Sequence, residues 1–169
     1  WYANIEDFAV GERYGQLILY AADSVDVGTT SGAFVLKSTD RGESWAHKEI
    51  QGVTGTIRCV GTFRSNPDIV YAGVWLGGVY KSNDGGTTWD PTASIENPRI
   101  ARVAMHPADP NIVWVGCKKT GPFAFLPVLY GSTDGGTNWT RFAPPTFPAT
   151  HSVSDIVVAG DTVFVSTYD

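Results

Sequence analysis

Apolar and polar residues alternate along most of the chain in short runs, and glycine, proline, asparagine or aspartate punctuates each run. The stretch IRCVGTFRSNPDIVYAG (57–73) shows the pattern: two alternating, β-branched segments flank a Ser-Asn-Pro-Asp cluster. A period of two is that of a strand with unlike faces, and the polar cluster supplies a turn, so the stretch reads as strand, turn, strand. IARVAMHPADPNIVWVG (100–116) overlays it without a gap at an offset of 43 residues. The overlay brings Ile57 onto Ile100, Val60 onto Val103, Pro67 onto Pro110, Ile69 onto Ile112, Val70 onto Val113 and Gly73 onto Gly116. DIVVAGDTVFVST (155–167) repeats the hairpin with a shorter turn at Gly160–Asp161, and residues 17–22 read as the second strand of an earlier one. No apolar run reaches the roughly 18 residues that a membrane-crossing helix needs, so membrane insertion is not expected.

A second repeat lies between the hairpins. STDRGESW (38–45), SNDGGTTW (82–89) and STDGGTNW (132–139) share the form Ser-x-Asp-x-Gly-x-x-Trp and start 44 and then 50 residues apart. A period of about 40–50 residues is the spacing of β-propeller blades, each a four-stranded antiparallel sheet. The expected fold class is therefore all-β, a β-propeller whose units run strand A, turn, strand B, loop, strand C, octapeptide, strand D. In the second unit the strands fall roughly at 56–62, 68–74, 78–82 and 88–92. The units span about 1–52, 53–95, 96–145 and, incompletely, 146–169, one partial propeller of about 3.5 blades. A propeller needs at least four blades to close. Closure is thus expected from the remainder of a longer chain or from another chain.

The octapeptides themselves read as self-satisfied turns. Asp40, Asp84 and Asp134 can accept hydrogen bonds from backbone N–H groups of their own turns. Ser38, Ser82 and Ser132 open the turns, Gly42, Gly86 and Gly136 can adopt positive φ, and Trp45, Trp89 and Trp139 can fold back on the hairpins. A calcium loop would need alternating oxygen ligands and a closing glutamate, and a phosphate cradle a glycine-rich turn into a helix. Neither pattern is present.

Composition narrows the partners. Twelve basic against 17 acidic residues give a net charge of −5, which argues against nucleic acid, although Lys118 and Lys119 form an adjacent pair. Cys59 and Cys117 are the two cysteines, and their separation makes no metal-ligand pattern; they read as buried core thiols ahead of a disulfide pair. His106 is placed in an A–B turn and His47 and His151 in D–A loops, without convergence, so no metal and no cofactor are expected. Asn138–Trp139–Thr140 matches a glycosylation acceptor whose middle residue is the octapeptide tryptophan.

With its three octapeptides and the surrounding PDIVYAGVWLGGVYKSNDGGTTW, the chain resembles the Asp-box (BNR) repeat β-propeller superfamily over nearly its whole length. That superfamily includes sialidases, xyloglucan-active glycoside hydrolases, sortilin-type receptor domains and photosystem assembly factors, so the resemblance speaks to fold more than to function. It implies octapeptides on the face opposite the ligand site, and work outside the cytosol. The arginine triad of sialidases would follow an Arg-Ile-Pro segment; the nearest strings, Phe63–Arg64 and Arg99–Ile100, lack the proline. ILYAADSVDVGTTSGAFVLKSTDRGESW is similar to the part of xyloglucan-active enzymes that leads into an early octapeptide, without the glycine- and arginine-rich segment that follows there.

Ligands of propellers usually meet the face formed by B–C and D–A loops, which are free of packing duty. The B–C loops here are 23–32, with Asp23 and Asp26; 74–77, with Trp75; and 117–129, which holds Lys118, Lys119, Phe123 and Phe125. Trp75 reads as a ligand contact or as inter-blade packing. Phe123 and Phe125 read as a sugar-stacking platform, a protein contact or local packing. Asp23 and Asp26 form a candidate carboxylate pair of the kind glycosidases need, or a solvated loop. The leading functional reading is a non-catalytic extracellular recognition or scaffold module for protein or glycan. The alternatives are a glycoside hydrolase whose site lies partly outside this chain, and a structural component of a surface appendage.

Overall fold

The computed structural model describes residues 4–23, 32–119, 128–142 and 151–168. They form three four-stranded antiparallel sheets and a two-stranded one, each built from strands consecutive in sequence. The first holds β1 (Ile5–Arg13), β2 (Gln16–Asp23), β3 (Gly32–Ser38) and β4 (Ala46–Thr54). The second holds β5 (Ile57–Phe63), β6 (Asn66–Val74), β7 (Gly78–Ser82) and the short β8 (Asp90–Pro91). The third holds β9 (Ile100–Met105), β10 (Val113–Cys117), β11 (Leu129–Ser132) and β12 (Thr140–Phe142), and the fourth β13 (Ser152–Ala159) with β14 (Thr162–Tyr168). The first strands β1, β5, β9 and β13 pack on one another in that order, which is the blade succession of a β-propeller.

The period-two pattern is what stacks the sheets. On β6, Val70, Ala72 and Val74 join Tyr20, Val35 and Ile50 in a core between the first and second sheets. Tyr71 points the other way, into a core with Val113, Val115 and Tyr130 of the third. Val128 and Leu129 then meet Val153 and Ile156 of the fourth. The repeated glycine has a reason: a Cβ on Gly73 would sit 2.5 Å from Ile100 Cγ2, and one on Gly116 would sit 2.4 Å from Val153 Cγ1. Each glycine leaves space for the first strand of the next sheet.

A latch not legible as chemistry in the sequence joins successive sheets. The Tyr20 hydroxyl donates to the Pro67 carbonyl of the second sheet (2.7 Å), and Lys37 Nζ to the Gly85 carbonyl (3.0 Å). One sheet on, the Tyr71 hydroxyl reaches the Gly135 carbonyl (3.2 Å), and a Cβ on Gly135 would come within 2.7 Å of Lys81 Nζ. The register pairs Tyr20 with Lys37, Tyr71 with Lys81 and Trp114 with Gly131. In the third sheet the latch is thus replaced by Trp114, whose ring meets Phe142 at 4.8 Å.

Two expectations are refined. His47 lies within β4 and not in a loop, its ring edge-on to Phe34 at 5.8 Å. Trp45 is 37% exposed, whereas Trp89 and Trp139 pack into the cores behind their own sheets. The cause is positional: Trp89 and Trp139 lie against the preceding sheet, and no described sheet precedes the first. Trp45 instead meets Phe8 of its own sheet at 6.2 Å.

Candidate functional site

The octapeptides close on themselves. In the second, the buried Ser82 hydroxyl donates to Asp84 Oδ1 (2.8 Å) and accepts from the Gly86 N–H (2.8 Å). Asp84 also accepts from the Thr88 N–H (2.8 Å) and the Thr88 hydroxyl (2.6 Å). The first repeats this with Ser38, Asp40, Gly42 and Ser44, and the third with Ser132, Asp134, Gly136 and Asn138. The side-chain donors at Ser44 and Thr88 are the main cause that holds Asp40 and Asp84 down at about 2. Asn138 plays the same part for Asp134, which is also lowered. Gly42, Gly86 and Gly136 have φ of 92°, 84° and 90°, the region where a side chain is strained. The Asn138 amide nitrogen, where a glycan would attach, donates to Asp134 Oδ2 (2.7 Å). Carboxylates stabilised as anions by these donors are weak bases and poor proton donors near neutral pH.

The opposite ends of the strands carry different chemistry. Trp75 opens the short loop after β6 and bridges to Arg99, just before β9. Its N–H donates to the Thr56 carbonyl (2.9 Å), and the Leu76 N–H to the Pro98 carbonyl (2.9 Å). Three cations surround the indole: Arg58 Cζ at 5.4 Å, Arg99 Cζ at 5.8 Å and Lys118 Nζ at 5.8 Å from the ring centroid. Such contacts contribute about 0.5–1 kcal/mol each at exposed sites. Asn97, fully buried, sets the spacing: its side-chain amide donates to the Lys118 carbonyl (2.8 Å), and its Oδ1 accepts from the Arg99 N–H (3.2 Å). The Arg99 guanidinium also donates to the Lys119 carbonyl (3.3 Å).

A second group lines the start of the first strands. Asp7 on β1 accepts from the Phe8 N–H (2.9 Å) and, across the sheet gap, from the Val60 N–H (3.1 Å). Burial raises its carboxyl despite those donors and despite the nearby Arg102. Arg102 in turn lies 3.6 Å from Asp155, and Arg58 lies 3.1 Å from Glu6.

Of the sequence candidates, Trp75 and Lys118 come together, and Lys119 contributes its backbone beside them. Asp23 ends β2, where it pairs with Ile5. Asp26, Phe123 and Phe125 lie outside the described residues. Sequence reasoning missed Arg58, Arg99 and Asn97, and the carboxylates Asp7 and Asp155. The available signal was position: Arg58 and Arg99 each flank one of the repeated isoleucines, Ile57 and Ile100, that open a first strand. Among the described residues no group of three or more His, Cys, Asp or Glu could hold a metal ion, and no helix could cross a membrane.

No protein-family model matches the chain. A vacuolar protein sorting/targeting protein 10 from Mycosarcoma maydis is 28% identical over 93 residues, 55% of this chain and 6% of that protein. The GH74 enzyme of Niastella koreensis superposes with a TM-score of 0.78 at 22% identity, over 96% of this chain and 26% of that one. YCF48 from Cyanidioschyzon merolae gives 0.67 at 19% identity, over 95% and 48%. A YCF48 structure bound to D1 peptide gives 0.61 at 14% identity, over 91% and 44%. The chain thus spans about half or less of each of these proteins. At such identities the likeness establishes the fold alone, that of a partial β-propeller.

Proposed function

We propose that the chain is part of an extracytosolic Asp-box β-propeller that acts as a non-catalytic recognition or scaffold module for protein or glycan. The observation that carries this reading is the group at Trp75: an indole ringed by Arg58, Arg99 and Lys118. Those side chains suit contact and charge recognition, and none of them is a proton donor poised for hydrolysis. The octapeptides support it from the other end, since their polar groups are consumed in turn formation. The similarity to a sorting/targeting protein and to a peptide-bound propeller accords with such a role.

A glycoside hydrolase is the second reading, favoured by one observation. Asp7 is a carboxyl raised by burial, and Asp155, across from Arg102, is a second carboxylate near the same strand ends. Paired carboxyls in unlike environments are what acid–base glycosidases use. Incubation of the full chain with xyloglucan and with a fluorogenic sialoside, alongside glycan- and protein-binding assays, separates the two. Binding without turnover is the expected result. Turnover that Asp7→Asn or Asp155→Asn abolishes would establish the hydrolase and overturn the recognition reading.

A further inference from the structure

We propose that the cations around Trp75 form a docking site for a peptide segment of a partner protein, one that carries carboxylates beside an apolar side chain. The inference rests on the recognition reading above and names its ligand class.

The chain is acidic overall, with a net charge of −5, yet three cations converge within 6 Å of one ring centre. Arg58 is paired with Glu6 (3.1 Å), its Nε buried without a hydrogen-bond partner, whereas among the described residues neither Arg99 nor Lys118 forms an ion pair. Like charges gathered this closely repel, and the indole offsets only part of that repulsion. A carboxylate between Arg99 and Lys118 supplies the missing countercharge.

Leu76 adds an apolar contact beside the cations. It is 59% exposed and holds a φ of 61°, a conformation that is costly for a bulky side chain. Hydrogen bonds on both sides keep it there: its own N–H to Pro98, and the Gly77 N–H to the Val74 carbonyl (3.0 Å). The strained turn presents an apolar side chain to solvent next to the cations, the pairing expected of an interface anchor. The indole explains why the segment is peptide and not sugar. With three cations within 6 Å of the ring centre, Trp75 offers a pyranose less free stacking surface, whereas guanidinium and ammonium groups fit side-chain carboxylates. Asn97 holds the backbones of Arg99 and Lys118 at a fixed spacing before any ligand arrives, which lowers the ordering left to binding.

The test uses the full chain and a fluorescently labelled heptapeptide, GELEELG, followed by anisotropy. Its neutral counterpart GQLQQLG and oligogalacturonate, an acidic glycan, serve as comparison probes. GELEELG is expected to bind and to weaken as salt rises from about 0.1 M to about 1 M, where the screening length falls from about 10 Å to about 3 Å. The double variant R99Q/K118Q is expected to lose roughly tenfold in affinity. R99K/K118R is expected to retain most of it, and R141Q, an outer-strand control, all of it. Leu76→Ser is expected to weaken binding several-fold at unchanged salt dependence. Urea midpoints of all variants guard against misfolding. Equal binding of GQLQQLG, or indifference to R99Q/K118Q, overturns the proposal. So does oligogalacturonate binding that depends on Lys118 while the peptide fails to bind. If all three probes fail but the full chain still binds another protein or a neutral glycan, the ligand assignment falls and the recognition reading survives.

Discussion

Gly73→Ala tests whether successive sheets pack through the repeated glycine. The added Cβ would lie 2.5 Å from both Ile100 Cγ2 and Cys59 Sγ. Non-bonded carbon contacts prefer roughly 3.5–4.0 Å, so the second and third sheets must separate by about 1 Å or the side chains must leave their rotamers. Ile100 and Cys59 are both fully buried and have nowhere to go. Overpacking of this kind costs about 1–3 kcal/mol. Ile100→Ala alone opens a cavity in the same core and costs about 2–5 kcal/mol. Together the new methyl occupies part of the vacated space, so the double variant is expected to fall short of the summed cost by about 1–2 kcal/mol. Urea unfolding of the full chain, followed by far-UV circular dichroism at constant m-value, measures each corner of the cycle. A Gly73→Ala variant within about 0.5 kcal/mol of the parent, or a strictly additive double variant, would refute the packing argument.

Other expectations follow from single contacts. Ser82→Ala strands the buried Gly86 N–H and is expected to cost about 1–3 kcal/mol in the same unfolding assay. Asp40 and Asp84 are lowered to about 2, so their contribution to stability is fully present above the ordinary carboxylate value and disappears as pH falls toward about 2. Thr88→Ala removes the largest cause at Asp84, and its acid-unfolding midpoint is expected at higher pH than the parent's. Burial raises both thiols, Cys117 to about 12, so neither is expected to react with a thiol reagent until denaturant is added. Trp75→Leu leaves a packed apolar side chain but frees the three cations, and is expected to weaken GELEELG binding without a comparable drop in urea midpoint.

The two hairpin overlays and the octapeptide spacing were enough to place strands A to D of the second unit, because turn residues and period-two alternation are local signals. The refinements come from non-local facts. Whether Trp45 or Trp89 is covered depends on the sheet lying behind it, which no eight-residue pattern records. The Tyr–Lys latch was visible only as a repeated tyrosine, since its partners Pro67 and Gly135 lie 47 and 64 residues further along the chain. The site shows the same division. Trp75 and Lys118 were legible as loop residues of unusual chemistry. Arg58 sits inside β5 and looks like an ordinary strand residue until the bridge between Trp75 and Arg99 brings two sheets together. Asp7 was hidden for a related reason: its raised carboxyl depends on burial against the neighbouring sheet.

Amide hydrogen exchange on the full chain, with and without saturating GELEELG, tests the central claim most directly, that recognition occurs at the loop face and not at the octapeptides. The account predicts added protection at residues 75–77, 97–99 and 117–119, with residues 38–45, 82–89 and 132–139 unchanged. Protection confined to the octapeptides, with none around Trp75, would contradict it.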